Sequence, residues 1–214
     1  MKYTSKNKPP FLILLSHPET IEGEARLVNE LFASGLQSFH LRKPNWNSTQ
    51  VEQLLRKIPE KHHHSIILHQ HIHLVDTFHL GGFHLSRRTR NKGYEKIYRN
   101  VSFSISAHST GEIYHLKNIY KYAFLSPVFN SISKPGYKPS LAPEEIQKQL
   151  SQQKSAVPVI ALGGIHEDNI SLLKNKGFQG YAVLGYIWNH FLKDRDMLSA
   201  RKRFERLKRK VYDT

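Results

Sequence analysis

Three histidines, His69, His71 and His73, occupy every second position of the stretch SIILHQHIHL at residues 65–74. On a β-strand this spacing points all three imidazoles to the same side of a sheet. Imidazole is a common ligand of Zn²⁺ and Ni²⁺, so the pattern raises the question of a transition-metal site. Whether the three side chains can share an ion depends on the fold that contains them.

Composition limits the classes of partner that need to be considered. The chain has 214 residues and a formal net charge of +15, from 32 Lys and Arg against 17 Asp and Glu. Such an excess favours an anionic partner, which is nucleic acid, an anionic membrane surface or a phosphorylated small molecule. Cysteine is absent, which excludes disulfides, thiolate catalysis and cysteine zinc sites. The first apolar run, 11–15, is shorter than a signal-peptide core and no stretch reaches membrane-span length, so we expect a soluble cytoplasmic protein.

The apolar pattern alternates between strand-like runs and segments of helical periodicity. FLILLS, at 11–16, is typical of a strand buried on both faces, and the helical spacing that follows it stops at Gly35. Strands are predicted at 11–16, 36–42, 65–70, 82–85, 101–106, 122–126, 157–162 and 179–184, and later helices at 48–58, 72–79, 93–99, 110–121, 142–152, 166–176 and 195–212. Steady alternation implies parallel strands, so we predict one domain over 1–214, an α/β protein with a single (β/α)8 TIM barrel. An open doubly wound sheet is the alternative.

Glycines follow the two strands after which such a barrel commonly holds phosphate. VPVIAL runs into Gly163 and Gly164, and GYAVL runs into Gly185 and Tyr186 before a short helical segment. Glycine lets backbone N–H groups approach an oxyanion, and the N-terminus of a helix adds a favourable dipole. We therefore predict that these four residues bind a phosphate group.

Cations and hydroxyls follow two other strands. Arg42 and Lys43 come directly after strand two, and Ser131, Ser133 and Lys134 lie in the loop after strand six. Because the carboxyl ends of the strands meet at one end of a barrel, these side chains are expected to bind a second anion there.

In their order along the chain, these motifs resemble those of the thiamine phosphate synthase/TenI family, and the resemblance covers nearly the whole sequence. The family's QLRxK is similar to residues 40–43 (HLRK), GVHLGQ to 82–87 (GFHLSR), GVSTH to 104–108 (SISAH), GPVFPTxTK to 126–134 (SPVFNSISK), PVVAIGGI to 158–165 (PVIALGGI) and GVAVVSAI to 180–187 (GYAVLGYI). The resemblance implies a transferase of thiamine biosynthesis that joins hydroxymethylpyrimidine diphosphate to thiazole phosphate and releases diphosphate.

The resemblance also implies a role for each matching residue. It assigns binding of the leaving diphosphate to Arg42, Ser106, Ser131, Ser133 and Lys134, with Arg42 and Lys134 as the catalytic cations. It assigns binding of the thiazole phosphate to Gly163, Gly164, Gly185 and Tyr186, and it places His40 and His69 in the pyrimidine pocket. At the position of His40, synthases carry Gln and TenI-type members carry His.

The sequence departs from the family at its magnesium site. The family's NDR after strand three, whose Asp helps to bind Mg²⁺, corresponds to His69-Gln70-His71, and Thr89 stands where a second Asp is expected. Mg²⁺ prefers oxygen ligands. We therefore predict that the histidines stand at the position of a lost magnesium site. A new metal site there would lack a carboxylate ligand and hydrogen-bond partners for the imidazoles. No cofactor is expected to be tightly bound, and Mg²⁺ is expected only with the diphosphate substrate.

A second departure adds positive charge. Arg87 and Arg88 stand in a loop where the family has an acid. A guanidinium can bind diphosphate through paired hydrogen bonds without a metal, so one of the two is predicted to assist Arg42. An exposed basic loop is the alternative interpretation.

Parts of the sequence are also compatible with functions other than that of a synthase. A TenI-like thiazole tautomerase or a non-catalytic regulator that binds thiazole or thiamine phosphate is the alternative, although tautomerases carry His where Pro127 stands. The basic tail suggests nucleic acid, but its apolar residues form one helical stripe (Met197, Ala200, Phe204, Leu207 and Val211) and no nucleic-acid motif accompanies it. The expected partners are phosphorylated small molecules, without nucleic acid or membrane, and a homo-oligomer is left open.

Overall fold

The computed structural model describes residues 11–130, 143–152 and 155–212 of the chain. Within these residues eight parallel strands pair in chain order and form a closed barrel. They are β1 (Phe11–Leu15), β2 (Ser38–Leu41), β3 (Ile66–Leu68), β4 (Gly82–Leu85), β5 (Phe103–Ala107), β6 (Tyr120–Leu125), β7 (Val159–Leu162) and β8 (Gly180–Val183). The predicted (β/α)8 barrel is confirmed. The open sheet is excluded because β8 pairs with β1, for example through Val183 and Leu14.

Helices cover the outside of the barrel. They are α1 (Glu24–Ala33), α2 (Ser48–Leu55), α3 (His73–Thr77), α4 (Tyr94–Ile97), α5 (Thr110–Tyr114), α6 (Pro143–Gln152), α7 (Gly185–Asp194) and α8 (Met197–Tyr212). The α8 stripe packs as predicted, with Ala200, Phe204 and Leu207 buried. None of the helices in the described part of the chain is long and apolar enough to cross a membrane.

Two predicted helices are shorter in the structure. The segment 110–121 forms a helix only as far as Tyr114, because Tyr120 already belongs to β6. The segment 166–176 forms a single 3₁₀ turn, Ile170–Leu173. Its start is held as a loop because the Asn169 side chain accepts a hydrogen bond from the His166 N–H (2.9 Å) and donates one to the Gly164 carbonyl (2.8 Å).

The alternating histidines do not lie on one strand, in agreement with the strand predicted at 65–70 and the helix predicted at 72–79. β3 ends at Leu68, and the backbone turns at His71, which has a φ of 56°. His71 donates from Nε2 to the Trp46 carbonyl (2.8 Å), while His73 begins α3 and is exposed. Only His69 enters the barrel, where it is 5% exposed. The three imidazoles therefore do not converge on a shared ion.

Three consecutive histidines, His62 to His64, precede β3; such a polar run in a sequence predicts exposure to solvent, and for His63 this prediction is wrong. These residues form a 3₁₀ helix, Glu60–Ser65. His63 is buried, with Nδ1 3.1 Å from the Phe78 carbonyl and Nε2 3.0 Å from the Ile58 carbonyl. Its imidazole is a structural link to α2 and α3.

The interior of the barrel is apolar on one side and consists of imidazoles on the other. Six side chains from β1, β6, β7 and β8 pack together: Ile13, Leu15, Tyr122, Phe124, Ile160 and Ala182. On the side of β2, β3 and β4, the interior contains His40, His69 and His84, which are 0%, 5% and 1% exposed. The His69 and His84 rings stack with centroids 4.4 Å apart, and the His40 ring lies 4.8 Å from the ring of Phe124.

Burial keeps these three imidazoles neutral. It lowers the pKa of His84 to about 3, with a smaller contribution from the Arg42 charge. Burial likewise lowers the pKa of His40 and of His69 well below the ordinary value, and the charged form of His84 would lower both further. In the unfolded chain all three would titrate near pH 6.5. The unfolded state therefore binds more protons than the folded state at mildly acidic pH.

This difference predicts how stability changes with pH. Because the folded pKa values are depressed, the stabilisation is complete above about pH 6.5 and is lost as pH falls below it. Well below pH 6.5, each histidine contributes a slope of about 1.4 kcal/mol per pH unit to the free energy of unfolding. We expect His84→Gln to reduce the slope measured by urea unfolding between pH 5 and 6.5 by about one proton. The exposed His64→Gln is the control, and equal slopes in the two variants would contradict the assignment.

Candidate active site

The carboxyl ends of all eight parallel strands lie at one end of the barrel, which we call the mouth. Arg42 follows β2, His69 follows β3 and Arg88 lies in the loop after β4. The two glycine turns follow β7 and β8, which are hydrogen-bonded neighbours. Strands four places apart face each other in an eight-stranded barrel, so β3 and β4 stand opposite β7 and β8. The predicted glycine and cation sites are therefore at the same end of the barrel, and the loop after β4 lies across the mouth from the turn after β8.

The Gly163-Gly164 turn needs glycine at both positions. Gly163 and Gly164 have φ values of 103° and 66°, in the region that side chains rarely occupy. A Cβ on Gly163 would lie 2.9 Å from Pro127 Cα, and one on Gly164 would lie 2.7 Å from Phe129 Cβ and collide with the Asn130 carbonyl. The turn is fixed against the loop after β6 by a hydrogen bond from the Phe129 N–H to the Gly163 carbonyl (3.1 Å).

Gly185 and Tyr186 are the first two residues of α7, a ten-residue helix that is longer than the predicted segment. The N-terminus of α7 has no side-chain cap, and its first backbone bonds to Leu184 come from Ile187 and Trp188. The N–H groups of Gly185 and Tyr186 precede these bonds, as the unsatisfied donors of a helix start do. With the helix dipole, they form an arrangement suited to a phosphate.

The Tyr186 side chain does not belong to this arrangement. It is buried toward α8, with the Arg203 guanidinium 5.9 Å from its ring centre. Burial and the neighbouring Glu167 carboxylate raise the pKa of Tyr186 to about 12. Tyr186 can therefore contribute to anion binding through its backbone only.

The backbone of Arg42 is clamped by the buried hydroxyl of Ser16. Ser16 Oγ accepts from the Arg42 N–H (2.8 Å) and donates to the Arg42 carbonyl (3.0 Å). Ser16 follows β1, so neighbouring strand ends fix the position from which the Arg42 side chain extends. A guanidinium held in this way loses little freedom on binding an anion.

The Arg42 side chain is half-buried and has a cation beside it. Burial lowers its pKa, and Arg88 lowers it further. Across residues 11–130, 143–152 and 155–212, no acidic group forms an ion pair with Arg42 or Arg88. Arg90, by contrast, is paired with Glu112 (3.0 Å). Two unpaired guanidiniums at the mouth favour a multiply charged anion.

Lys43 does not point into the mouth, although it was grouped with Arg42 as a strand-end cation. It is fully buried, with Nζ 2.5 Å from Glu24 Oε2 and 2.6 Å from the Glu19 carbonyl. Burial raises the pKa of Glu24 to about 7 although Lys43 opposes this. Arg42 is half-buried without an acidic partner among the described residues and Lys43 is buried against Glu24, so the two adjacent cations serve different purposes. Lys43 secures the loop to α1.

The other predicted diphosphate ligands lie near the end of β5, in the loop after β4 and in the loop after β6. Ser106 is half-buried near the end of β5, and its hydroxyl lies 2.7 Å from His84 Nε2. Arg87 and Arg88 are both exposed, and of these two it is Arg88 whose charge lowers the pKa of Arg42. Ser131, Ser133 and Lys134 lie outside the described residues.

His40 and His69, predicted for the pyrimidine pocket, belong to a buried hydrogen-bonded chain. His40 Nδ1 lies 3.0 Å from His69 Nε2, and His40 Nε2 lies 2.6 Å from the Tyr122 hydroxyl. Both nitrogens of His40 are therefore engaged within the protein. Beside this chain, His84 Nδ1 lies 2.9 Å from Ser104 Oγ. His69, directly after β3, is the member nearest the mouth.

The residues at the family's magnesium position do not fit that ion. Gln70 Oε1 accepts from the Lys43 N–H (3.2 Å), and His71 Nε2 is bound to the Trp46 carbonyl. Thr89 Oγ1 accepts from the Ser86 N–H (2.9 Å). The oxygens that could have replaced a carboxylate are thus used locally, and Mg²⁺ needs several free oxygen ligands.

The sequence interpretation did not group His84, Ser104 and Tyr122 with the site. A signal was present for His84, because it interrupts the otherwise apolar strand GFHL at 82–85, which should be buried on both faces. A buried polar side chain requires a partner, and these residues are partners of one another and of His40.

Comparisons with known proteins agree with this geometry. The family described as thiamine monophosphate synthase matches residues 12–187. A thiamine-phosphate synthase of Flavobacterium johnsoniae is 27% identical over 81% of this chain and 86% of its own length. The crystal structure of a thiamine phosphate pyrophosphorylase from Bacteroides thetaiotaomicron is 34% identical, with a TM-score of 0.80 over 94% of this chain and 96% of that one. A thiamine phosphate pyrophosphorylase from Pyrococcus furiosus has the same fold, at 18% identity and a TM-score of 0.75.

The match spans every strand from β1 to β8 and ends within the first turn of α7, so it includes the mouth and both glycine turns. This chain therefore belongs to the thiamine monophosphate synthase family.

Proposed function

We propose that this protein is a transferase that condenses hydroxymethylpyrimidine diphosphate with thiazole phosphate to give thiamine phosphate and diphosphate. The observation that carries the proposal is the presence of two separate anion-binding arrangements at one barrel mouth. One consists of backbone N–H groups after β7 and β8, and the other of two guanidiniums after β2 and β4 that form no ion pair within the part of the chain that the structure describes. A reaction that joins two phosphorylated substrates requires both.

The two arrangements suit different anions. The glycine turns and the start of α7 offer neutral donors, which suit the phosphate that stays on the thiazole throughout the reaction. Arg42 and Arg88 offer full charges, which suit a diphosphate whose charge increases as it leaves. The thiazole phosphate is therefore assigned to the glycine turns and the pyrimidine diphosphate to the two arginines.

The step itself is a substitution at the methylene carbon of the pyrimidine. The carbon–oxygen bond to diphosphate breaks, and its electron pair leaves with the diphosphate. The lone pair of the thiazole nitrogen then forms the new carbon–nitrogen bond and yields the thiazolium product. Charges already fixed around the departing group stabilise this transition state without reorganisation.

Magnesium has no place in this chain's own part of the mechanism. Arg88 stands in the loop where relatives are expected to carry an acid, and it adds the positive charge that a bound cation would otherwise supply. We propose that any Mg²⁺ arrives as the counterion of the diphosphate substrate.

The function is tested by incubating the purified protein with both phosphorylated precursors, with Mg²⁺ or with excess EDTA, and measuring products by mass spectrometry. We expect thiamine phosphate and diphosphate in equal amounts, and product formation should persist in EDTA. Absence of thiamine phosphate under every condition would contradict the condensation. Strict dependence on Mg²⁺ would contradict the metal-independent assignment only.

Neighbouring arginines provide a matched test of the diphosphate site. Arg42→Ala is expected to lower kcat by about 10²-fold, as loss of an oxyanion-stabilising group does. Arg88→Ala should lower kcat/KM for the pyrimidine diphosphate by about tenfold, because its exposed charge is partly screened. Arg87→Ala is the control and should change neither constant. An equal loss in the Arg87 and Arg88 variants would show a general charge effect instead of a specific contact.

Two glycines of equal φ provide a matched test of the phosphate turn. Gly164 and Gly93 both have a φ of 66°, but nothing lies within 4 Å of a Cβ built on Gly93. Gly93→Ala should therefore cost only the left-handed backbone penalty, about 1–2 kcal/mol in the free energy of unfolding. Gly164→Ala adds the collision with the loop after β6, so it should also raise KM for thiazole phosphate by at least about tenfold. An unchanged KM in a folded Gly164→Ala protein would remove this turn from the site.

A further inference from the structure

Three imidazoles from adjacent strand ends converge inside the barrel. One nitrogen from each of His40, His69 and His84 lies within 4.8 Å of a nitrogen of the other two. His40 Nδ1 and His69 Nε2 are already 3.0 Å apart. Neighbouring nitrogens around a tetrahedral Zn²⁺ lie about 3.3 Å apart, so small rotations of the rings would bring these two into ligand positions.

The second requirement of an imidazole site is a partner for the nitrogen that does not bind the ion. With Nδ1 as the ligand, the Nε2–H of His40 would donate to the Tyr122 hydroxyl, 2.6 Å away. His84 has a serine hydroxyl on each side, Ser104 Oγ at 2.9 Å and Ser106 Oγ at 2.7 Å. Whichever nitrogen of His84 binds, the other keeps a hydroxyl partner.

The charge around the cluster sets the strength and the kind of ion. The three imidazoles are buried and uncharged, as ligands must be. Arg42 lies near enough to disfavour positive charge on His69 and His84, and it would oppose a divalent cation in the same way. Three nitrogen ligands suit Zn²⁺ and its neighbours and do not suit Mg²⁺.

We propose that His40, His69 and His84 form an exchangeable binding site for a divalent transition metal of the Zn²⁺ class at the floor of the barrel mouth. Three protein ligands leave a fourth position for water. The charge of Arg42 opposes the bound cation, so the ion exchanges with solvent. It therefore acts as a reversible inhibitor and not as a resident cofactor. The histidine cluster differs from the alternating trio of the sequence, with which it shares only His69.

Binding of the ion would inhibit the condensation, and this part of the proposal rests on the proposed function. The ion would replace the hydrogen bond between His40 and His69 and would place a dication under the pocket expected to hold the pyrimidine. We therefore expect Zn²⁺ to inhibit in competition with the pyrimidine diphosphate, while Mg²⁺ does not.

Binding is tested on untagged protein by calorimetric titration with Zn²⁺ and by the visible absorption of bound Co²⁺. We expect one ion per chain, with tetrahedral Co²⁺ absorption. His84→Asn should weaken binding by at least about 100-fold, and Tyr122→Phe, which removes an outer partner, by about 10-fold. Arg42→Met should strengthen binding by removing the opposing charge. Circular dichroism shows whether each variant is folded, and the milder Tyr122→Phe provides the test if His84→Asn is not.

A surface site is excluded by a matched control. The His71 and His73 rings lie 6.2 Å apart outside the barrel and could bind Zn²⁺ by themselves. The double variant His71→Ala/His73→Ala should keep full affinity. Loss of binding in that variant, or no binding by the wild-type chain, would overturn the proposal. Binding without inhibition would leave the metal site standing and reject only its effect on the reaction.

Discussion

Closure of the sheet between β1 and β8 is the constraint on which the rest of the structure depends. It requires very close packing at Gly180, where a Cβ would lie 2.6 Å from the Phe11 carbonyl and 2.8 Å from Ile160 Cδ1. Closure removes both sheet edges and places every strand end on one circle. As a result the loops after β2, β4, β7 and β8, which come from distant parts of the chain, share one mouth. Without the β1–β8 pairing, the cations and the phosphate turns would have no common pocket.

Among the described residues, Arg42 and Arg88 at the mouth form no ion pair. Two acidic side chains of neighbouring segments are paired with other cations, Glu24 with Lys43 and Glu112 with Arg90. Below the mouth the polar groups are imidazoles that burial keeps neutral. The two guanidiniums therefore favour an anion at the mouth. The histidines after β3 and the arginines after β4 support the proposal made above, in which guanidiniums of the chain replace an ion held by carboxylates.

The sequence predicted the parts of the site that depend on local pattern. Alternating strand and helix signals predicted the barrel, and the glycines after strands seven and eight predicted tight turns at the mouth, because both follow from backbone requirements. The histidine cluster could not be assembled in this way, since His40, His69 and His84 are brought together by strand pairing and not by spacing. Alternation within SIILHQHIHL does not indicate a shared site because β3 ends at Leu68, before the first of the three histidines. Lys43 was grouped with Arg42 because the sequence does not show whether a charged side chain after a strand is buried or faces the mouth.

Arg42 and Lys43 are adjacent in the chain, and the fold uses the second residue to position the first. Lys43 is buried against Glu24, and breaking such a pair costs about 3–5 kcal/mol because one charge is left without compensation. Ser16 holds the Arg42 backbone from the adjacent strand end at the same time. The loop is thus fixed by bonds that do not use the guanidinium. Arg42 remains half-buried and unpaired among the described residues because every restraint on it acts through the main chain, and its charge stays available for the anion.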